Sequence, residues 1–390
     1  MELKKLLIVY AAAFIGPFGG NAIIPLFPVL ETELTTPKDL LTLTIASLMI
    51  PFAIIQFFSG TISDLFNRQR VCVIGLSVYG LGAFLVSISP TFEFLLFARA
   101  IQGIGYGVLF PVLVALLGDL SSLEQRGKVM GFFGVFTTAG IAFGPLSAGL
   151  LVVLGWEIIF YIIAGVSILI CLFFGLIFRN FPSTSQKKRS IREVFSQMKN
   201  TVNWNILLFS ILGFVIFLSY IGVYLSITGR YSTLFPALSE EEIGHLTGII
   251  LSFAGISGII ASLLAGISID KLGRKKIAYI GGIILAISVS VFVFGNSFFS
   301  FIILFYCLGT GAAIIWTAYN TITVELDPAA KGTVSSISSG VRFFGYSLAS
   351  PLYIFLGLPL LYLACTILAF VAIGLLFLLR VSQLKEPSQY

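Results

Sequence analysis

Twelve apolar runs, each long enough to cross a bilayer, set the terms on which this chain can fold. They cover residues 6–30, 40–62, 71–89, 92–118, 129–151, 157–178, 204–228, 245–268, 277–295, 298–322, 333–356 and 358–379. A spanning helix takes about 20 apolar residues, whereas a membrane-spanning strand takes only about ten. Runs of this length therefore predict helices, which satisfy every backbone N–H and C=O internally where no water is at hand. The expected fold is all-α and integral to a membrane, with twelve transmembrane helices. Composition agrees: 10% of the 390 residues are charged and 58% hydrophobic, against about 25% charged in a soluble domain. The first run continues to Leu30, beyond the roughly 7–15 residues of a signal-peptide core, and is expected to remain as a span.

Two connections are longer than the rest. Residues 180–203 are polar and basic, and they divide the chain into an N-terminal six-helix half (1–179), a cytoplasmic basic linker (180–203) and a C-terminal six-helix half (204–390). Residues 229–244 form an acidic loop. With the N-terminus inside, 19 of the 23 Lys and Arg fall in inner segments; Lys38 and Arg230 are outside, and Arg99 and Arg342 lie within runs. That asymmetry places both termini in the cytoplasm of a cell-membrane protein. It also accounts for the net charge of +6 without a nucleic-acid partner. Cys72, Cys171, Cys307 and Cys365 all lie in apolar runs without C-x-x-C spacing, and read as small core residues.

The few charges inside the bundle form a pattern. GTISDLFNRQR at residues 60–70 returns as GISIDKLGRKK at residues 266–276, an offset of 206. Gly60, Asp64, Arg68 and Arg70 thus match Gly266, Asp270, Arg274 and Lys276. The same offset relates Gly103 to Gly309, Gly105 to Gly311, Asp119 to Glu325 and Pro145 to Pro351. The halves are parallel repeats, as in one large class of secondary transporters. In the hairpin, Gly60 lets two helices approach closely near a tight turn. Asp64 can accept hydrogen bonds from the exposed amides of a neighbouring helix N-terminus. Asn67 stands where the second copy has Gly273, and asparagine tolerates the left-handed conformation such a turn uses. The pair reads as a cytoplasmic gate. Asp64 is expected to hold the start of the eleventh span near residues 331–333, and Asp270 that of the fifth near 126–128.

Two spans carry further motifs. The fourth reads LFARAIQGIGYGVLFP, with Arg99 and Gln102 before a run of glycines. The fifth reads GIAFGPLSAG, in which Gly140, Gly144, Pro145 and Gly149 give a smooth face that proline bends or loosens. Hairpin, span-four and span-five motifs in this order resemble the major facilitator superfamily, within it the twelve-span drug/metabolite:proton antiporters. The first hairpin departs from the family pattern: Asn67 replaces the usual glycine, and Leu65 follows Asp64 where a basic residue is common. The resemblance implies an exporter that couples to protons and works by rocking its two halves about a central cavity.

The cavity is expected between spans one, four, five, seven, ten and eleven. Arg342 lies about ten residues into the eleventh run and has Phe136 as its counterpart at the 206 offset. A charge at that depth marks a functional site by default. Asn21, placed just before Pro25 and Pro28, with Tyr220, Tyr224, Trp316 and Tyr346, completes the candidate lining beside Arg99, Gln102 and Arg342. All 17 acidic residues lie at run ends or in loops. Two deep arginines without a deep carboxylate favour an anionic or zwitterionic substrate over a cationic one. No phosphate-binding loop, metal-ligand cluster or Ser/His/Asp set stands out, so no cofactor and no catalysis are expected. The partners expected are a small-molecule substrate, protons and membrane lipid, with the chain a monomer. An uncoupled facilitator or anion exchanger is the alternative of the same fold, and a non-transporting receptor or scaffold that of another class.

Overall fold

The computed structural model describes residues 2–58, 67–122, 125–179, 196, 199, 201–326 and 331–379. Every regular element among them is helical. The α-helices are α1 (Glu2–Asn21), α2 (Phe27–Glu33), α3 (Lys38–Leu41), α4 (Leu43–Phe57), α5 (Arg68–Ser87), α6 (Phe92–Leu120) and α7 (Arg126–Leu151). There follow α8 (Glu157–Ile177), α9 (Trp204–Leu234), α10 (Glu240–Leu272), α11 (Arg274–Val291), α12 (Phe298–Leu326) and α13 (Lys331–Leu378). Taken with their short continuations, they make 11 helices long and apolar enough to cross a membrane. Most of the 180–203 linker lies outside the described residues.

Breaks in the helices follow proline and glycine. Pro25 sits in the 3-10 turn Ile24–Leu26 that separates α1 from α2, where the missing N–H would otherwise interrupt the ladder. The 48-residue α13 contains one non-helical residue, Gly357 at φ 65°, with Pro359 two positions on. Only glycine takes that backbone geometry without strain.

Packing repeats along the chain. Helices α4 and α5 pack on α6, α8 packs on α5, and α1 packs on α7; in the second part α10 and α11 pack on α12, and α9 packs on α13. The contacts between the two sets run mainly through α7 against α10 and α4 against α13. The glycines show how close the repetition is. A Cβ on Gly103 would stand 2.1 Å from the Leu48 carbonyl oxygen, and one on Gly309 2.0 Å from that of Ala254. One on Gly105 would stand 2.3 Å from the Tyr79 amide nitrogen, and one on Gly311 2.5 Å from that of Leu285. Both members of each contact are displaced by the same 206 residues.

Two kinds of bundle end result. At one, the acidic end, Glu31 pairs with Lys38 at 2.9 Å, Trp156 donates to Glu33 at 2.6 Å and Thr32 donates to Glu240. At the other, the basic end, Arg68 pairs with Asp119, and Lys275 donates to the Leu379 carbonyl at 3.0 Å.

The hairpin turn differs from the expectation for Asn67. This residue has φ −59° and ψ 114° and caps α5, its side chain accepting from the Arg70 amide at 3.1 Å. Its counterpart Gly273 takes φ 81°. The asparagine oxygen satisfies one of the unpaired N–H groups of the helix start, so the left-handed turn is not needed there.

Candidate functional site

Near the middle of the bundle, aromatic rings run from one set of helices to the other. Phe52 of α4 stacks on Tyr106 of α6 at 5.1 Å between ring centroids, and meets Phe343 of α13 edge-on at 4.7 Å. Phe343 lies 5.6 Å from Phe217 of α9, Phe217 lies 4.9 Å from Trp316 of α12, and Trp316 stacks parallel to Tyr319 at 5.9 Å. Beside this row the Tyr346 hydroxyl donates to Asn21 Oδ1 at 3.1 Å, joining α13 to α1. Asn21 in turn donates to the Pro17 carbonyl at 2.8 Å, one turn back on its own helix and short of the break at Pro25.

Arg342 projects into this row. It is 5% exposed, and its Cζ sits 3.7 Å above the Trp316 ring and 4.8 Å from that of Phe343. Its one hydrogen bond among the described residues runs from Nη1 to Asn320 Oδ1 at 3.2 Å. Nε is buried without a partner. Neither of the two ion pairs among the described residues involves it. Asn320, one helical turn past Trp316 toward the basic end, is exposed.

Arg99 is placed differently. It is fully buried and donates to four oxygens: Thr44 O at 3.2 Å, Gly19 O at 3.0 Å, Gly20 O at 2.8 Å and Gln102 Oε1 at 2.7 Å. The planar guanidinium thus ties α6 to α1 and α4, replacing the water that a buried charge lacks with carbonyl dipoles. Gln102 spends its oxygen on this bond and leaves Nε2 buried and unpartnered. Tyr220 and Tyr224 lie one and two turns beyond Phe217, toward the acidic end. Their rings are 5.5 Å apart, and Tyr224, 1% exposed, holds its hydroxyl without a partner.

The span-five glycines serve two neighbours. Added Cβ atoms on Gly140 and Gly144 would stand 2.4 Å from Phe14 O and 2.2 Å from Phe18 O, so these two admit α1. Gly149 and the Pro145 carbonyl face α10 instead: a Cβ on Gly149 would stand 2.9 Å from Gly244 O, and one on Gly248 2.6 Å from Pro145 O. His245 Nδ1 and Gly149 O are 3.2 Å apart at the same place. Closer to the basic end the seam is looser. A Cβ on Gly131, Gly134 or Gly266 would meet nothing within 4 Å.

For the hairpins, Gly60 and Asp64 lie outside the described residues, as does the Asp270 side chain. Arg68 donates to the Ala115 carbonyl at 3.2 Å besides pairing with Asp119, both within the first six spans. Arg70 and Lys276 are exposed, and Arg274 is half-buried. Sequence reasoning missed Asn320, Phe217, Phe343 and Phe52. Asn320 carried a signal, an amide within an apolar run one turn from a tryptophan; the phenylalanines carried none in a chain with 38 of them.

A family model described as Major Facilitator Superfamily matches residues 9–350 and, a second time, 214–389. Quinolone resistance protein NorA of Staphylococcus aureus (strain MSSA476) is 23% identical over 360 residues, 90% of either chain. Multidrug resistance protein 2 of Bacillus subtilis (strain 168) is 24% identical over 295 residues, covering 73% of this chain and 72% of that one. Among solved structures, a D-xylose-proton symporter superposes with a TM-score of 0.77 at 16% identity, covering 96% of this chain and 97% of the other.

Proposed function

We propose that this chain, which belongs to the major facilitator superfamily, exports amphiphilic small molecules in exchange for protons by alternating access. Membership makes it a multi-pass membrane transporter, and the drug-resistance relatives support the direction of transport. Gly357 and Pro359 divide α13 into two spans in this reading, which gives twelve. The glycine contacts repeated at the 206-residue offset support a division into two six-helix halves. The basic end is cytoplasmic on the charge asymmetry, and both termini lie on that side.

The one-sided seam between α7 and α10 carries this reading. It is tight where Gly149 meets Gly244 and Gly248, and open where Gly131, Gly134 and Gly266 have no neighbour. Thr32 bonded to Glu240 closes the same side, and Tyr346 bonded to Asn21 joins the two sets of helices at mid-depth. Such a seam fits a rocking transporter shut outside and parted on the inner side along α7 and α10, while Phe57 still packs against Gly340 where α4 meets α13. Arg68, paired with Asp119, and the second hairpin then act as the cytoplasmic gate in the opposite state. Arg342, Asn320, Trp316, Asn21 and Tyr346 line the substrate site, and Arg99 with Gln102 holds the first-half helices in register behind it.

One observation favours a second reading, uncoupled facilitation: the described carboxylates all lie in loops or end turns rather than deep in a span. Proteoliposomes separate the two. A proton antiporter accumulates substrate faster when the lumen is acidified, whereas rates indifferent to the imposed pH gradient refute coupling, and no transport of any amphiphile refutes the exporter.

A further inference from the structure

We infer that Arg342 is an anion-accepting subsite whose free Nε–Nη2 edge takes the carboxylate of an aromatic amphiphile. An arginine stays charged at any physiological pH, and a charge buried without a counter-charge is among the costliest arrangements a protein can hold. Every side of this guanidinium is accounted for except one. Trp316 covers a face at 3.7 Å, an attraction of the cation–π kind. Asn320 occupies Nη1 and so fixes the rotation of the group. Nε remains buried with no partner. The unoccupied edge presents two parallel N–H bonds, the fork that a planar carboxylate accepts in bidentate fashion.

The surroundings decide the rest of the ligand. Phe217, Phe343 and Trp316 form the walls within 6.0 Å of the guanidinium carbon, which suits flat rings. The same region of the bundle holds a space next to the Asn21–Tyr346 bond: Gly20 is buried, yet a Cβ there would meet nothing within 4 Å. It adjoins Asn21, which is bonded to Tyr346, and Tyr346 lies 6.0 Å from Phe217. The carboxylate belongs to a diffusing amphiphile rather than to a lipid. Arg342 lies eleven residues past the start of α13 at Lys331, about 16 Å along the helix at 1.5 Å per residue, and therefore too deep for a phosphate anchored in the headgroup layer. The exporter reading enters only in what becomes of the ligand once bound.

The test uses purified full-length protein and three probes with one ring system: 1-pyrenebutyrate, 1-pyrenebutanol and 1-pyrenebutylamine. Energy transfer from tryptophan to pyrene reports binding. The butyrate should bind about tenfold or more tightly than the alcohol, the worth of a charge-assisted hydrogen bond, and the amine more weakly than either. Arg342→Gln should abolish the preference of butyrate over alcohol, whatever it does to the affinity for either; Arg342→Lys should retain part of it. An amine that binds as well as the butyrate to the unaltered protein overturns the inference, and this needs no variant to fold. So does a folded Arg342→Gln variant that keeps the full preference. Displacement of the butyrate by phosphatidylglycerol vesicles but not by phosphatidylcholine vesicles overturns the assignment to a free carboxylate. If the preference holds but no probe is transported in liposomes, the exporter reading falls and the subsite stands.

Discussion

A single methyl group on Gly248 should tip the conformational balance. The Cβ of Gly248→Ala would stand 2.6 Å from the Pro145 carbonyl oxygen and 3.0 Å from the Gly149 Cα. Both are backbone atoms, so no rotamer change relieves them. Restoring an ordinary contact of 3.4 Å requires α7 and α10 to part by about 0.8 Å, and overpacking of this kind costs about 1–3 kcal/mol. The cost falls only on the state in which the acidic end is shut, which corresponds to a shift of about 5- to 150-fold toward the state open at that end. Gly134→Ala is the matched control. It gains the same helix propensity, but its Cβ meets nothing within 4 Å. Gly20→Cys, in protein freed of its four natural cysteines, reports the opening, because its side chain enters empty space. Applied to intact cells, an impermeant maleimide should label Gly20→Cys faster in the Gly248→Ala background than in the Gly134→Ala background. Equal rates would refute the argument that this seam seals the outer side.

Other substitutions test separate links. Arg99→Lys replaces a three-nitrogen fork by one ammonium and leaves carbonyls among Gly19, Gly20 and Thr44 bare; at about 1–3 kcal/mol for each unsatisfied group, the melting temperature in detergent should fall clearly. An unchanged melting curve would show that the clamp contributes nothing. Asn67→Ala removes the cap of α5 and should cost about 1 kcal/mol, whereas Asn67→Gly should cost only a few tenths. Denaturation that ranks the two the other way would contradict the capping role.

Much of this organisation was legible in the sequence, and the reason is physical. Apolar runs must be helices in a bilayer, and a repeated glycine marks a repeated close approach, so the 206-residue offset carried Gly103 and Gly105 to the contacts at Gly309 and Gly311. Arg342 was legible as a charge at the wrong depth, though its partners were not. Trp316 could be placed only as one candidate among 55 aromatic residues, most of them ordinary packing, since 14% of the chain is aromatic. Arg99 shows the opposite limit. Its cost was evident from the sequence, but it is offset largely by backbone carbonyls, which every residue possesses and no residue advertises. Asn67 marks a third: one side chain can serve either a left-handed turn or a helix cap, and only the surrounding backbone decides between them.

Alternating access itself is tested most directly by two spin-label distances measured in the same protein. One pair, Val153→Cys with Ala237→Cys, spans the acidic end; the other, Gln125→Cys with Lys271→Cys, spans the basic end, and all four positions are exposed. Between the resting protein and protein held by substrate or by a changed pH, the first distance should lengthen while the second shortens. Two distances that stay fixed, or that change with the same sign, would contradict a rocking transporter.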